Sequence, residues 1–108
     1  MTGVTVVDAG PAEALQPGQV AAVEVDGLRI AVWNVSGTIY AMDDLCSHDE
    51  AYLSEGTFDI ETATVRCPKH TSRFDLKTGR PLSFPAVRPV RTYPARIEQG
   101  RVLVEIDG

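Results

Sequence analysis

The sequence predicts an all-β, antiparallel protein that forms one domain. Apolar residues alternate with polar ones or gather in short β-branched runs, which Gly, Pro and Asp separate. No stretch shows the sustained apolar face of an amphipathic helix. A chain of 108 residues is long enough to bury a core of its own. We therefore expect a single β domain over residues 1–108.

Eight segments of the chain have the pattern of strands. Two of them meet at Asp26-Gly27, which is the sequence that a two-residue type I′ hairpin turn requires. Thr78-Gly79 is another predicted tight turn, because glycine adopts positive φ without steric cost. One turn of helix is expected at residues 12–15. The predicted strands are residues 4–7, 19–25, 28–35, 38–42, 64–67, 72–76, 93–98 and 101–106.

Two short loops carry all of the cysteines and histidines of the chain. The first is the C-x-H motif Cys46-Ser47-His48, and the second is the C-x-x-H motif Cys67-Pro68-Lys69-His70. The sequence contains only two cysteines and two histidines, so each loop holds one of each. Cysteines and histidines gathered in this way predict a metal site. The expected ligands are Cys46, His48, Cys67 and His70.

Two kinds of metal group suit four such ligands. Zinc takes tetrahedral Cys2His2 sites, in which both cysteines usually come from one short pair and both histidines from another. A [2Fe-2S] cluster can instead be held by two cysteines on one iron and two histidines on the other. Here each loop mixes one cysteine with one histidine. This spacing favours the iron-sulfur cluster and leaves a zinc site as the alternative.

At this point the sequence resembles the Rieske family, and within it the small Rieske-type ferredoxins of ring-hydroxylating dioxygenase systems. The resemblance covers residues 30–108 well, and the N-terminal part only through its strand pattern. Besides the two ligand motifs, the segments that carry it are Leu53-Ser54-Glu55-Gly56, Val65-Arg66-Cys67-Pro68, Ser72-Arg73-Phe74-Asp75, Thr78-Gly79 and Pro85-Ala86-Val87.

The resemblance implies a fold with two parts and one bound [2Fe-2S] cluster. The first part is an antiparallel β-sandwich base, formed by both chain ends at about residues 1–42 and 83–108. The second is an inserted cluster-binding lobe at about residues 43–82. In such a cluster, two cysteines hold the inner iron and two histidines hold the outer one.

The resemblance also assigns roles to residues around the cluster. Ser72 matches a serine whose hydroxyl donates to a cluster sulfur, and Pro85 lies in the loop that covers the cluster. Phe74 stands where high-potential members carry a tyrosine that donates a second such bond. We therefore expect a low reduction potential, because fewer hydrogen bonds stabilise the added negative charge. Lys69 and Thr71 depart from the apolar residue and the glycine that are usual in the family.

Composition and charge exclude several classes of partner. The net charge is -5 with a pI near 4.8, whereas nucleic-acid binding needs a basic surface. The apolar runs are too short to span a membrane. Two cysteines in a reducing compartment are better explained as metal ligands than as a disulfide. We expect a cytoplasmic protein that binds neither nucleic acid nor membrane.

The function that the resemblance implies is one-electron transfer. The protein would accept electrons from a flavin-containing, NAD(P)H-dependent reductase and pass them to a terminal non-haem iron oxygenase. The sequence has no glycine-rich dinucleotide motif and no nucleophile constellation, so we expect an electron-carrying component and not an enzyme. A monomer is expected. The alternatives are the Rieske-like small subunit of an assimilatory nitrite reductase and a zinc-stabilised interaction module.

Overall fold

The structure, a computed structural model, describes residues 4–25, 27–45, 51–69, 72–83 and 88–107. These residues form ten strands: β1 (Val4–Pro11), β2 (Val20–Val25), β3 (Leu28–Val35), β4 (Thr38–Asp43), β5 (Phe58–Asp59), β6 (Thr64–Arg66), β7 (Arg73–Asp75), β8 (Thr92–Tyr93), β9 (Ala95–Glu98) and β10 (Arg101–Asp107). Two short 3₁₀ helices lie at Ala12–Ala14 and Leu53–Glu55. Within the described ranges, no helix has the length and hydrophobicity needed to cross a membrane.

The first sheet joins the two ends of the chain in the order β1-β10-β9. Both pairs are antiparallel, and β1 runs from the pairing of Val4 with Asp107 to that of Pro11 with Arg101. The register shifts between Asp8 and Pro11, where β1 is longer than predicted. The β9–β10 hairpin turns at Gln99 and Gly100, whose φ values are 51° and 74°. Two successive positive φ values are typical of a type I′ turn.

The second sheet has the order β2-β3-β4-β8 and is also antiparallel. The strands predicted at residues 19–25, 28–35 and 38–42 agree with β2, β3 and β4 to within one residue at each end. Ser36 and Gly37 form the β3–β4 turn with φ values of 52° and 96°. Asp26, the first residue of the predicted β2–β3 turn, lies outside the described residues, while Gly27 has φ 83°.

The segment predicted as one strand at residues 93–98 is divided between two sheets. Thr92 and Tyr93 pair with β4, and only Ala95–Glu98 pairs with β10. Pro94 separates the two pieces. Proline has no backbone N–H to donate to a ladder, so the chain leaves one sheet and enters the next at this residue.

The third sheet, β5-β6-β7, connects the regions of the two ligand motifs. Val65 in β6 faces Phe58 on one side and Phe74 on the other, and all contacts between strands are antiparallel. Strands β6 and β7 lie within the predicted strands at residues 64–67 and 72–76, whereas the sequence does not predict β5. Phe58–Asp59 has only two residues, which is too short to show a periodic pattern.

Strand β3 is buried on both faces and separates two hydrophobic clusters. Ile30 and Val32 face a cluster that contains Val102 and Val104 of β10. Trp33 faces the opposite cluster, which also contains Val65 and Phe74 of the third sheet. Since side chains alternate along a strand, one strand can complete both cores. The second cluster contains Ala31, Trp33, Val35, Met42, Ala51, Leu53, Ala63, Val65, Cys67, Phe74, Leu76 and Val90.

The predicted all-β, antiparallel architecture is confirmed. Its proposed division into a base at residues 1–42 and 83–108 and a lobe at residues 43–82 stays a prediction.

Candidate metal centre

The second ligand motif begins at the end of β6. Cys67 follows that strand and Ser72 precedes β7, and the Cys67 amide donates a hydrogen bond to the Ser72 carbonyl at 3.0 Å. This bond joins the two ends of the loop, and we call such a joined pair of ends a neck. Cys67 is 1% exposed and Ser72 is fully buried, so the thiol and the hydroxyl both lie inside the protein.

A similar neck holds the first ligand motif. Leu45 and Tyr52 form an antiparallel β-bridge, and the Leu53 amide donates to the Asp44 carbonyl at 2.6 Å. Cys46 follows Leu45 directly in the chain. The described residues therefore fix both ends of the segment that contains Cys46 and His48.

The two necks are joined through a close approach between Gly56 and β6. The Arg66 amide donates to the Thr57 carbonyl at 2.8 Å. A Cβ placed on Gly56 would lie 1.9 Å from the Arg66 carbonyl oxygen, which is far below any contact distance. Only glycine fits at this position, so the chain that leaves the first loop runs directly against the strand that enters the second.

The predicted site residues are only partly described. Cys46, His48, His70 and Pro85 lie outside the described residues, as do Asp49, Glu50 and Thr71. Cys67 and Phe74 are packed in one cluster, and Phe74 is fully buried. Ligation by the four residues, and the effects of Ser72, Phe74 and Pro85 on the cluster, stay predictions.

Sequence reasoning missed the residue that organises the first neck. Asp44 is fully buried, and its carboxylate accepts hydrogen bonds from Arg29 and Ser54. The bond to Asp44 raises the pKa of Arg29 above its ordinary value. The position of Asp44 between the end of a strand and a ligand motif was the only signal in the sequence.

The adjacent carboxylate, Asp43, has a different partner. Its Oδ1 accepts a hydrogen bond of 2.5 Å from the Tyr93 hydroxyl. Burial, the hydrogen bond to Asp43 and the charge of that carboxylate together raise the pKa of Tyr93 to about 12, because all three disfavour the negatively charged phenolate.

Positive charge borders the second neck. Arg66 and Arg73 are cross-strand partners next to Cys67 and Ser72, and both are exposed. Neither forms an ion pair with a described residue. Lys69, also exposed, lies between the two ligands of the motif. We call Arg66, Lys69 and Arg73 the basic patch.

The described donor, the buried thiol of Cys67, fits a metal group that is held by thiolate and shielded from water. A buried thiol at a closed strand end can be deprotonated by a metal, whereas an exposed lone cysteine would be open to oxidation. Within the described residues, no three potential ligands lie together. Three of the four predicted ligands fall outside that part of the chain, so the described donor is Cys67.

Comparison with known proteins identifies relatives along nearly the whole chain. The ferredoxin component of naphthalene 1,2-dioxygenase/salicylate 5-hydroxylase systems from Ralstonia sp. is 39% identical over 101 residues, which are 94% of this chain and 95% of the relative. The ferredoxin of carbazole 1,9a-dioxygenase from Nocardioides aromaticivorans IC177 superposes with a TM-score of 0.88 at 40% identity. That match covers 93% of this chain and 96% of the other.

Two further solved structures bear on partners. A complex of reduced oxygenase and oxidised ferredoxin in carbazole 1,9a-dioxygenase contains a chain with a TM-score of 0.86 and 34% identity, which covers 92% of this chain and 91% of that one. A protein from Mycobacterium tuberculosis assigned as an NADH-dependent nitrite reductase small subunit has a TM-score of 0.84. It is 26% identical, and the match covers 96% of both chains.

The family model for the Rieske [2Fe-2S] domain matches residues 5–94. This match removes the zinc module that the sequence left open, because the family is defined by its iron-sulfur cluster. The chain therefore belongs to the Rieske [2Fe-2S] domain family, and it is an electron carrier with one [2Fe-2S] cluster rather than an enzyme.

Proposed function

We propose that the protein is the ferredoxin component of a multicomponent dioxygenase system. The observation that carries this proposal is the similarity to a dioxygenase ferredoxin component over 94% of the chain. Cys67 agrees with it, because this residue is buried where a backbone hydrogen bond joins the two ends of the second ligand loop. We further propose that four residues hold the cluster, with the thiolates on one iron and the imidazoles on the other. They are Cys46, His48, Cys67 and His70.

The electron arrives from one protein and leaves to another. The donor is a flavin-containing, NAD(P)H-dependent reductase, and the acceptor is a terminal non-haem iron oxygenase. The ferredoxin–oxygenase complex known for a relative supports the second step. We propose that the protein acts as a cytoplasmic monomer that binds neither nucleic acid nor membrane. Its net charge of -5 opposes binding to the phosphates of nucleic acid.

The chemistry of one docking surface follows from the basic patch. Like charges placed directly across a strand pair are destabilising, and yet Arg66 and Arg73 face each other in the open. Asp59 and Glu61 line the same groove and offset part of this cost, and a partner that supplies carboxylates offsets more of it, because arginine binds them in bidentate fashion. The patch borders the second ligand loop, in which Lys69 directly precedes His70, one of the two proposed ligands of the outer iron. We therefore assign it to an acidic surface on one of the two redox partners.

The ligand assignment is tested by the metal content of purified protein. Wild type should be red-brown, with about two irons and two acid-labile sulfides per chain. Cys67→Ser and His70→Ala should each lose the colour and most of the sulfide, since each removes one of four ligands. Lys69→Gln is the matched control in the same loop and should keep both.

Two results would contradict the proposal. The first is about one zinc per chain without visible absorption in wild type, which would reject the cluster. The second is full cluster content in His70→Ala, which would reject the ligand assignment while leaving the family intact.

A second candidate is the small subunit of an assimilatory nitrite reductase. It is favoured by the fold similarity to the mycobacterial protein, although the identity of 26% is well below the 39% of the dioxygenase relative. Co-purification of the chain from its native host with a large sirohaem subunit would select this candidate. Co-purification with a flavoprotein reductase or a non-haem oxygenase would select the first.

A further inference from the structure

The neck of the first ligand loop contains an ion pair between the buried carboxylate of Asp44 and the partly exposed Arg29. Asp44 is fully buried, and its Oδ2 accepts hydrogen bonds from Arg29 Nε at 2.6 Å and from Ser54 Oγ at 2.7 Å. Its Oδ1 accepts the Ser54 backbone N–H at 2.6 Å. A buried carboxylate is strongly unfavourable unless it is paired and hydrogen-bonded. Both oxygens meet this requirement, so Asp44 is held in one position.

The backbone of Asp44 is fixed as well. Its N–H donates to the Arg29 carbonyl at 2.9 Å, and its carbonyl accepts the Leu53 amide at 2.6 Å. Asp44 precedes the loop at residues 46–50, whereas Leu53 and Ser54 follow it. One residue therefore ties together strand β3 and the two ends of the ligand loop.

Arg29 covers this arrangement from the solvent side. Its guanidinium lies 4.1 Å from the centroid of the Tyr52 ring, which is a cation–π contact, and its side chain is 33% exposed. Tyr52 is also the bridge partner of Leu45. The guanidinium thus contacts both the buried carboxylate and the strand pair that closes the neck.

We propose that Asp44, Arg29 and Ser54 form a clamp that fixes the first ligand loop, which makes Asp44 a positioning residue for Cys46 and His48. Charge-assisted hydrogen bonds are short and directional, so the carboxylate orients the neck as well as closing it. Cys46 lies two residues from Asp44, and the intervening Leu45 is held in the bridge. The role toward the cluster rests on the proposed ligand set, whereas the role toward the loop does not.

The loop itself is tested by hydrogen exchange, which does not depend on the cluster assignment. Asp44→Asn should accelerate exchange in the peptide that covers residues 44–54 by about tenfold or more, because the clamp then opens locally. Ser54→Ala removes one bond from the same carboxylate and should have a smaller effect of the same kind. Val104→Ala is the control, since it weakens the other hydrophobic cluster and should leave this peptide unchanged.

The effect on the cluster is tested by spectroscopy. The electron paramagnetic resonance g-values of the reduced cluster should shift in Asp44→Asn. They should remain at wild-type values in Val104→Ala, provided that this control is no more thermally stable than Asp44→Asn. A general loss of stability would not shift them. Arg29→Lys keeps the positive charge but loses the planar fork, so it should fall between wild type and Asp44→Asn.

Several outcomes would overturn the clamp. Unchanged exchange in Asp44→Asn would do so, as would equal acceleration in Val104→Ala. If Asp44→Asn does not fold, unchanged hydrogen exchange of residues 44–54 in both Ser54→Ala and Arg29→Lys would also overturn the clamp. Absence of a cluster from wild-type protein would instead reject the proposed function, while hydrogen exchange would still decide whether the clamp holds the loop.

Discussion

At the scale of single residues, the adjacent acids Asp43 and Asp44 perform different tasks. Asp44 is fully buried and accepts hydrogen bonds from Arg29 and Ser54, whereas Asp43 is partly buried and accepts one from Tyr93. Asp43 is the last residue of β4 and Asp44 follows it directly. Each carboxylate is therefore committed to a separate set of contacts beside the first ligand loop.

The pair of Tyr93 and Asp43 should make the folding stability depend on pH in the alkaline range. The ordinary tyrosine pKa is 10.0, and in the folded protein that of Tyr93 is about 12. Between these values the unfolded chain has lost the phenolic proton and the folded protein still holds it, so folding stability should decrease as pH rises. This contribution is complete below pH 10.0 and is lost as the pH passes about 12.

Ultraviolet titration of tyrosinate in wild type and Tyr93→Phe should isolate this late-ionising group, because the chain has only three tyrosines. Asp43→Asn should move the pKa of Tyr93 back toward 10.0, since the negatively charged neighbour is removed. A group that titrates at its ordinary pH in wild type would refute the argument.

At the scale of secondary-structure elements, glycines and one proline decide how the strands connect. Gly56 permits the chain after the first loop to contact β6, and Pro94 moves the chain from the second sheet to the first. Gly79 performs a similar task beyond β7. Its amide donates to the Asp75 carbonyl at 2.7 Å, and its carbonyl accepts the Val90 amide at 2.8 Å.

Gly79 and Gly100 show two different reasons why a position requires glycine, namely a left-handed backbone and a lack of space for a Cβ. Their φ values are 75° and 74°, but a Cβ on Gly79 would lie 1.9 Å from the Val90 carbonyl oxygen, whereas one on Gly100 meets nothing within 4 Å. Gly100→Ala should therefore cost about 1 kcal/mol for the left-handed backbone, which lowers the melting temperature by about 4–8 °C. Gly79→Ala should lower it by at least about twice as much, because the steric overlap is added. Equal shifts, measured by thermal unfolding of the cluster-containing protein, would show that Val90 moves aside freely.

At the scale of the whole molecule, charge is distributed unevenly. The net charge is -5, and yet the basic patch borders the second ligand loop. Electron-transfer encounters are small and electrostatically steered, so local charge at the docking surface affects the association rate more than the net charge does.

Neutralising the patch should slow the reaction with its acidic partner. Arg66→Gln/Arg73→Gln should reduce the second-order rate constant by about tenfold at low salt and flatten its dependence on ionic strength. Lys77→Gln/Arg80→Gln removes two exposed charges beyond the opposite end of β7 and is the matched control. Stopped-flow reduction by the reductase and oxidation by the oxygenase would identify which partner uses the patch. If both double variants slow both reactions equally, the patch is not a docking surface.

The sequence by itself determined the strand pattern and the metal-binding motifs. Both depend on residues that lie close together in the chain, such as the mixed Cys and His of each loop and the alternation in β2, β3 and β4. A thiol or an imidazole is recognisable from its residue type alone, and the pattern of period two reports which face of a strand is buried.

Among the acidic residues that the structure describes, only the tertiary structure decided which one is fully buried and where its charge is balanced. Asp44 meets Arg29 from β3 and Ser54 from beyond the loop, which are 15 and 10 residues away in the chain. Local sequence carries no record of such a pairing, because it forms only when separate elements are brought together and water is excluded. The division of residues 93–98 between two sheets is different, because Pro94 is a local signal for it, whereas which sheet each piece joins depends on the tertiary structure.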